Sequence, residues 1–140
     1  MEKIYCQKYW SDTMEEAKER LAETKPDLQK AISAHPFFAA YGNASEDFLS
    51  LAMLCQELAA HEDAEMEILI ENDHTAEILL TAPCFVFGSR QFLLLQKISF
   101  VANEMVFDAT EEKQSQITVT FDFSKADEIL YRQFQKRIFK

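Results

Sequence analysis

A chain of 140 residues, 48% apolar and 27% charged, suffices for one folded domain with a substantial core and excludes a low-complexity or disordered polymer. Fourteen Lys and Arg against 24 Asp and Glu leave a net charge of −10, a field that argues against nucleic-acid phosphates as a partner. No stretch approaches the ~18 apolar residues of a membrane span, and the opening MEKIYCQKYW lacks the apolar core of a secretory signal.

These bounds predict a single domain over residues 1–140 in the cytoplasm. Cys6, Cys55 and Cys84 are odd in number and show no CxxC spacing, so reduced thiols fit better than a disulfide framework. The charge is unevenly spread. Residues 1–30 carry six basic and seven acidic side chains, residues 31–89 none against ten, and residues 90–140 eight against seven.

Tyr5, Tyr9 and Trp10 follow no period, and residues 1–11 receive no element. Thr13 and Glu16 then have capping-box spacing, with Glu15 and Glu16 in a favourable first turn. Met14, Ala17, Leu21, Leu28 and Ala31 fall on one helical stripe, which Pro26 either kinks or divides. His35-Pro36 ends it, and Phe37–Gly42 reads as a loop. Asn43 with Glu46, or Ser45 alone, caps a second helix through about Ala60. Its apolar residues run nearly all round, as in a helix sandwiched between layers.

The most regular stretch follows, EMEILIENDHTAEILLT over Glu65–Thr81. Met66, Ile68 and Ile70 alternate with Glu67, Leu69 and Glu71, and Ala76, Ile78 and Leu80 with Glu77 and Leu79, which is the period of a half-buried strand. Two such arms form an antiparallel hairpin, and both apolar sets must reach one face, so paired residue numbers must sum to an even number. That predicts Ile70–Ala76, Ile68–Ile78 and Met66–Leu80, closed by Glu71–Thr75 and a three-residue loop, Asn72-Asp73-His74. After Pro83, Cys84–Phe87 reads as a short buried strand ended by Gly88. Residues 90–103 fit a helix better than a strand. Met105–Thr110 and Gln116–Phe123 read as strands, and Ser124 caps a final helix bearing Ala126, Leu130, Phe134 and Ile138. The fold class is therefore α+β, a two-layer domain of order α-α-βββ-α-ββ-α with a mainly antiparallel sheet packed against helices.

Chemistry is harder to find. His61, Glu62, Asp63 and Glu65 cluster in sequence with Glu57 one turn earlier, but Asp73 and His74 lie at the far end of the hairpin, about 25 Å away at the rise of a strand. A solvated acidic turn is the expectation there, not a metal centre. Each Cys sits among apolar neighbours, where thiols are inert. No Ser stands in a Gly-flanked elbow, and Gly42 and Gly88 alone cannot build a phosphate-cradling loop. No catalytic, cofactor-binding or metal residue is assigned, and no cofactor is expected.

Two resemblances bear on function. Gly88 through Asn103, followed by ITVTFDF, resembles the first half of a sensor-kinase ATP-binding domain, in which a G-D pair precedes a helix ending in the N-box asparagine. Here Ser89 replaces the acidic residue and the later DxGxG and glycine-rich lid are missing, so the resemblance implies a fold that no longer binds ATP. Acidic charge, small size and the order βββ-α-ββ-α also resemble class I type III secretion chaperones, dimeric non-enzymatic binders of effector segments, from which the N-terminal helices depart.

The sequence thus points to a small acidic protein-binding module, regulatory, chaperone-like or immunity-like, without catalytic activity. The alternative is an enzyme or metal-binding protein whose site is assembled from sequence-distant residues. The expected partner is a protein or basic peptide segment, with neither nucleic acid nor membrane involved and homodimerisation left open. The candidate surface is the hairpin's outer face, Glu67, Leu69, Glu71, Glu77 and Leu79, where three carboxylates without a cross-strand cation ring two leucines.

Overall fold

A computed structural model describes residues 2–125. Its strands are β1 (Glu2–Lys8), β2 (Glu65–Asn72), β3 (Thr75–Ala82), β4 (Glu104–Ala109) and β5 (Ser115–Asp122), with helices α1 (Met14–Ser33), α2 (Pro36–Ala39), α3 (Asn43–His61) and α4 (Ser89–Val101) and a final 3-10 turn, Phe123–Lys125. The strands form one antiparallel sheet in the order β1-β2-β3-β5-β4. The architecture is α+β, as the pattern predicts, in the order β-α-α-α-β-β-α-β-β.

The central hairpin keeps the expected register: Ile70 faces Ala76, Ile68 faces Ile78 and Met66 faces Leu80. Its tip differs. Asn72, not Glu71, pairs with Thr75, and the register shifts between Ile70 and Asn72. Glu71 is a bulged extra residue on β2, which lets a two-residue Asp73-His74 turn coexist with the even pairing below it. The Asn72 side chain fixes that turn by accepting the His74 N–H at 3.0 Å.

Helix α1 runs unbroken through Pro26. Its start is capped by Thr13, whose hydroxyl accepts the Glu16 N–H at 3.2 Å, while Glu16 Oε2 reaches past the usual position to the Asp12 N–H at 2.8 Å. Two turns on, Thr24 Oγ1 donates back to the Arg20 carbonyl and accepts from Gln56 Nε2 on α3, a buried polar link between the two helices. The segment read as a loop after His35 contains a helical turn, because Pro36 stands at its first position and His35 Nδ1 accepts the Phe37 N–H. Neither Asn43 nor Ser45 caps α3. Gly42 is its N-cap with a left-handed φ of 56°, and the Ser45 hydroxyl turns back to the Phe38 carbonyl.

A segment left open gains an element, and one further reading is corrected. Residues 2–8 are a strand, paired with β2 from Lys8–Glu65 to Glu2–Ile70 with a shift at Ile4 that breaks any period. Cys84–Phe87 is not a strand. Both sides of β3 are already taken by β2 and β5, and the Val86 N–H goes to Glu62 Oε2 at 2.7 Å instead of a ladder. Residues 90–101 are helical, as expected. The helix expected over Ala126, Leu130, Phe134 and Ile138 lies outside the described residues, while Ser124 Oγ donates to Asp122 Oδ1 at 2.6 Å.

The core lies between one sheet face and the helices. Met66, Ile68, Ile78, Leu80 and Phe121 are fully buried against Phe48, Leu51, Cys55 and Leu58 of α3. At one end Phe123 closes an aromatic cluster with Tyr41, Phe37, Phe48 and Phe121 at centroid separations of 4.6, 5.3, 5.6 and 4.7 Å. Among the described residues no helix is long and apolar enough to cross a membrane.

Candidate functional site

Directly paired residues of adjacent strands project to the same side of a sheet. Opposite the core side, three rows run across all five strands: Lys3–Leu69–Glu77–Thr120–Glu104, Cys6–Glu67–Leu79–Thr118–Val106 and Lys8–Glu65–Thr81–Gln116–Asp108. The candidate residues Glu67, Leu69, Glu77 and Leu79 therefore share this face, and bulged Glu71 sits at its rim. Glu104, Val106 and Asp108 join them. Their parity with Thr120, Thr118 and Gln116 signals this once the pairing of β4 with β5 is known.

The face is not as uniformly acidic as the hairpin alone suggests. Lys3, from the strand that showed no period, places Nζ 3.3 Å from Glu67 Oε1, supplying the cross-strand cation. Leu69 is only 9% exposed, with Lys3 and Glu77 directly beside it, so it is not a free anchor. Leu79 is half-buried and Val106 exposed. The uncompensated charge lies at the other side. The hydrogen bond that protonated Glu77 donates to the Glu71 carboxylate, then burial, then the charges of Glu71 and Glu104 push the Glu77 carboxyl up to about 7. Among the described residues none of these three carboxylates has an ion-pair partner.

Metal-ligating atoms converge at one place among the described residues, where those of Cys6, Glu65 and Glu67 lie within 4.8 Å of one another. The set is already satisfied. Cys6 Sγ donates to Glu65 Oε1 at 3.4 Å, Lys3 holds Glu67, and burial with the neighbouring carboxylates keeps the Cys6 thiol protonated by raising its pKa. A metal would have to displace both a proton and an ammonium group. Cys6 and Cys84 are exposed, contrary to the apolar setting expected for them, and Cys55 alone is buried.

The turn after α3 is not simply solvated. Arg90 of α4 pairs with Glu57 and donates from Nε to His61 Nε2 at 3.3 Å; burial first and Arg90 second hold His61 below its usual pKa, as a neutral acceptor. Glu62 is buried too, one oxygen on the Val86 N–H and the other without a partner among the described residues, and desolvation raises its carboxyl. This cluster fastens α4 to α3. The remaining histidines are tied to carboxylates elsewhere, His35 to Glu2 at 2.8 Å and His74 to Asp122 at 3.0 Å. Asn103 accepts the Asp122 N–H at 2.8 Å through its side-chain oxygen and so anchors β5.

Two clefts are grooves between helices. One, of about 460 Å³, is lined by Leu54, Leu93, Val101, Gln96 and Lys97 among others; the second, of about 470 Å³, by Leu21, Met53, Leu54, Lys25 and Glu57 among others. The second also carries Lys25, Ser50 and Glu57 along its walls, but Glu57 is held by Arg90, and among the described residues no hydrogen bond joins the three into a relay. No protein-family model matches the chain, and no curated protein compared with it matches.

Proposed function

We propose that this chain is a non-catalytic protein-binding module, regulatory, chaperone-like or immunity-like, whose sheet face opposite the described helices receives a basic segment of another protein carrying an apolar anchor. The supporting observation is the Glu71–Glu77–Glu104 group. Three carboxylates lie near one another beside Leu79 and Val106 without a cation among the described residues, at a cost that a Lys or Arg from a partner would relieve. Of the five hairpin residues first singled out, Glu71, Glu77 and Leu79 carry this reading. Glu67 is held by Lys3 and Leu69 is covered. A reducing compartment such as the cytoplasm suits the three free thiols.

The test uses two fluorescein-labelled peptides of equal apolar content, one bearing Lys and the other Glu at its charged positions, titrated by fluorescence anisotropy. The Lys peptide binds, and its affinity falls with added salt. The variant Glu71→Lys/Glu77→Lys loses that binding while its thermal midpoint is retained. Equal affinity for the two peptides, binding of neither, or indifference to the charge reversal would overturn the reading.

A further inference from the structure

The two edges of this sheet are built differently. Edge strands expose unsatisfied backbone groups, and proteins that must stay unpaired blunt them with lysines and bulges. β1 has both, with Lys3 and Lys8 on its outer side and a register shift at Ile4. β4 has neither. Its six residues pair with β5 without any shift, and they carry no Lys, Arg or Pro. Val106 is 41% and Phe107 54% exposed.

The hairpin geometry shows which backbone groups β4 leaves open. Thr110 N–H donates to the Gln114 carbonyl at 2.8 Å, which closes the β4–β5 ladder. By the alternation of an antiparallel pair, Asp108, Val106 and Glu104 then turn their backbone groups towards β5, and Met105, Phe107 and Ala109 turn theirs outward. The Ala109 N–H is already taken by Asp108 Oδ1 at 2.8 Å. Among the described residues Met105 and Phe107 keep outward N–H groups, with outward carbonyls on either side of them. On the core side of the same edge Phe107 stands 6.4 Å from Phe87, which is 5.7 Å from exposed Phe92, so an aromatic shelf extends beyond the last strand. On the opposite side Glu104 and Asp108 flank Val106.

We propose that β4 is a strand-addition site for an extended basic segment. The segment's alternate residues place Lys or Arg beside Glu104 and Asp108, and its intervening apolar residues lie on the Phe107–Phe87–Phe92 shelf. The occupant's chemistry follows from the edge itself: main-chain pairing supplies a register, and period two then sorts basic from apolar side chains onto the two faces. A second copy fits worse. Two β4 strands paired about Val106 set Glu104 against the other copy's Asp108 twice, and paired about Phe107 they set Val106 against Asp108, between chains of −10 each. The proposal rests on the partner being a basic segment, as above, and adds where and how it docks.

The experiment compares three labelled hexapeptides on the full chain: alternating Lys with Phe or Val, the same with Glu for Lys, and the Lys peptide N-methylated at alternate residues on its pairing edge. The Lys peptide binds, and N-methylation weakens it by about tenfold or more, roughly 1.4 kcal/mol. Phe107→Pro removes an outward N–H without touching the β5 ladder and abolishes binding. Phe107→Leu, which keeps the N–H, retains most of it. If the N-methylated peptide and the Phe107→Pro protein bind as tightly as the originals while Glu71→Lys/Glu77→Lys still fails, the segment lies across the sheet face, and strand addition is wrong although the broader reading stands. If no Lys peptide binds, both fall. A dimer that forms with concentration, is lost in Phe107→Pro and excludes the peptide would make the second copy the occupant and overturn the proposal.

Discussion

Gln56 Nε2 and Thr24 Oγ1 lie 3.0 Å apart in the buried seam between α3 and α1, and the Thr24 hydroxyl spends its own proton on the Arg20 carbonyl at 2.8 Å. The hydroxyl is thus both acceptor and donor, two residues before Pro26, where the helix already lacks an N–H. Replacing Thr24 by Val keeps its shape but takes from the buried Gln56 amide its bond to α1, which should cost about 1–3 kcal/mol. Adding Gln56→Leu should recover part of that loss. Urea midpoints of the two single variants and the double variant form the cycle, and simple additivity of the costs would show that the pair is not coupled.

Large-to-small changes should be most costly where sheet and helix meet. Ile68 and Phe121 are fully exposed to neither water nor a flexible loop, with 0% accessible surface each. Ile68→Ala and Phe121→Ala should each destabilise by about 2–5 kcal/mol. The check is again the urea midpoint. A wild-type midpoint for either would mean that its side chain faces away from α3.

The Glu77 carboxyl, raised to about 7 by Glu71, burial and Glu104, makes stability depend on pH in a definite direction. The unfolded chain releases this proton near the ordinary Glu value, about 4.3, and the folded chain holds it until about 7. Folded protein therefore binds more protons between those values, and stability falls as pH rises through the window. Glu62, also raised by burial, acts in the same sense. The thermal midpoint should climb as pH is lowered from about 8 to about 5, and Glu77→Gln should flatten the slope. An unchanged slope in that variant would remove Glu77 as its cause. A basic segment bound beside Glu77 should expel the shared proton near neutral pH, detectable as a buffer-dependent heat of binding.

Lys3→Met removes the cation from Glu67. An exposed pair of this kind is worth about 0–1 kcal/mol, so stability should barely move. Affinity for the Lys peptide should instead rise, because the face gains a free carboxylate. Weaker binding in Lys3→Met would assign Lys3 itself to the contact.

How legible these features were depended on local regularity. Ile68–Ile78 and Met66–Leu80 could be paired from parity alone because the burial of one face forces alternation in both arms. The tip could not, since a bulge at Glu71 satisfies parity as well as a three-residue loop does. β1 was hidden for a related reason: the shift at Ile4 breaks the period, and with it went Lys3, the cation whose absence had made the hairpin face look unbalanced. Cys84–Phe87 has the composition of a strand, but composition says nothing about whether a neighbouring strand has an edge to offer. Phe85 and Phe87 instead stack at 5.5 Å with planes 4° apart. The candidate face was found from five residues, yet its uncompensated corner needs Glu104, which lies 27 residues beyond Glu77 in sequence and two strands away.

The strand order has a kinetic consequence. β1 is the first of the described elements but pairs with β2 at separations of 57 residues, from Lys8 to Glu65, up to 68, from Glu2 to Ile70. The β2–β3 and β4–β5 hairpins close over a handful of residues and need no such search. During synthesis β1 emerges ahead of β2, the strand it pairs with, and waits while α1, α3 and then β2 follow. Its Lys3, Lys8 and bulge therefore guard it twice: as the outer edge of the finished sheet, and as an orphan strand before the sheet exists.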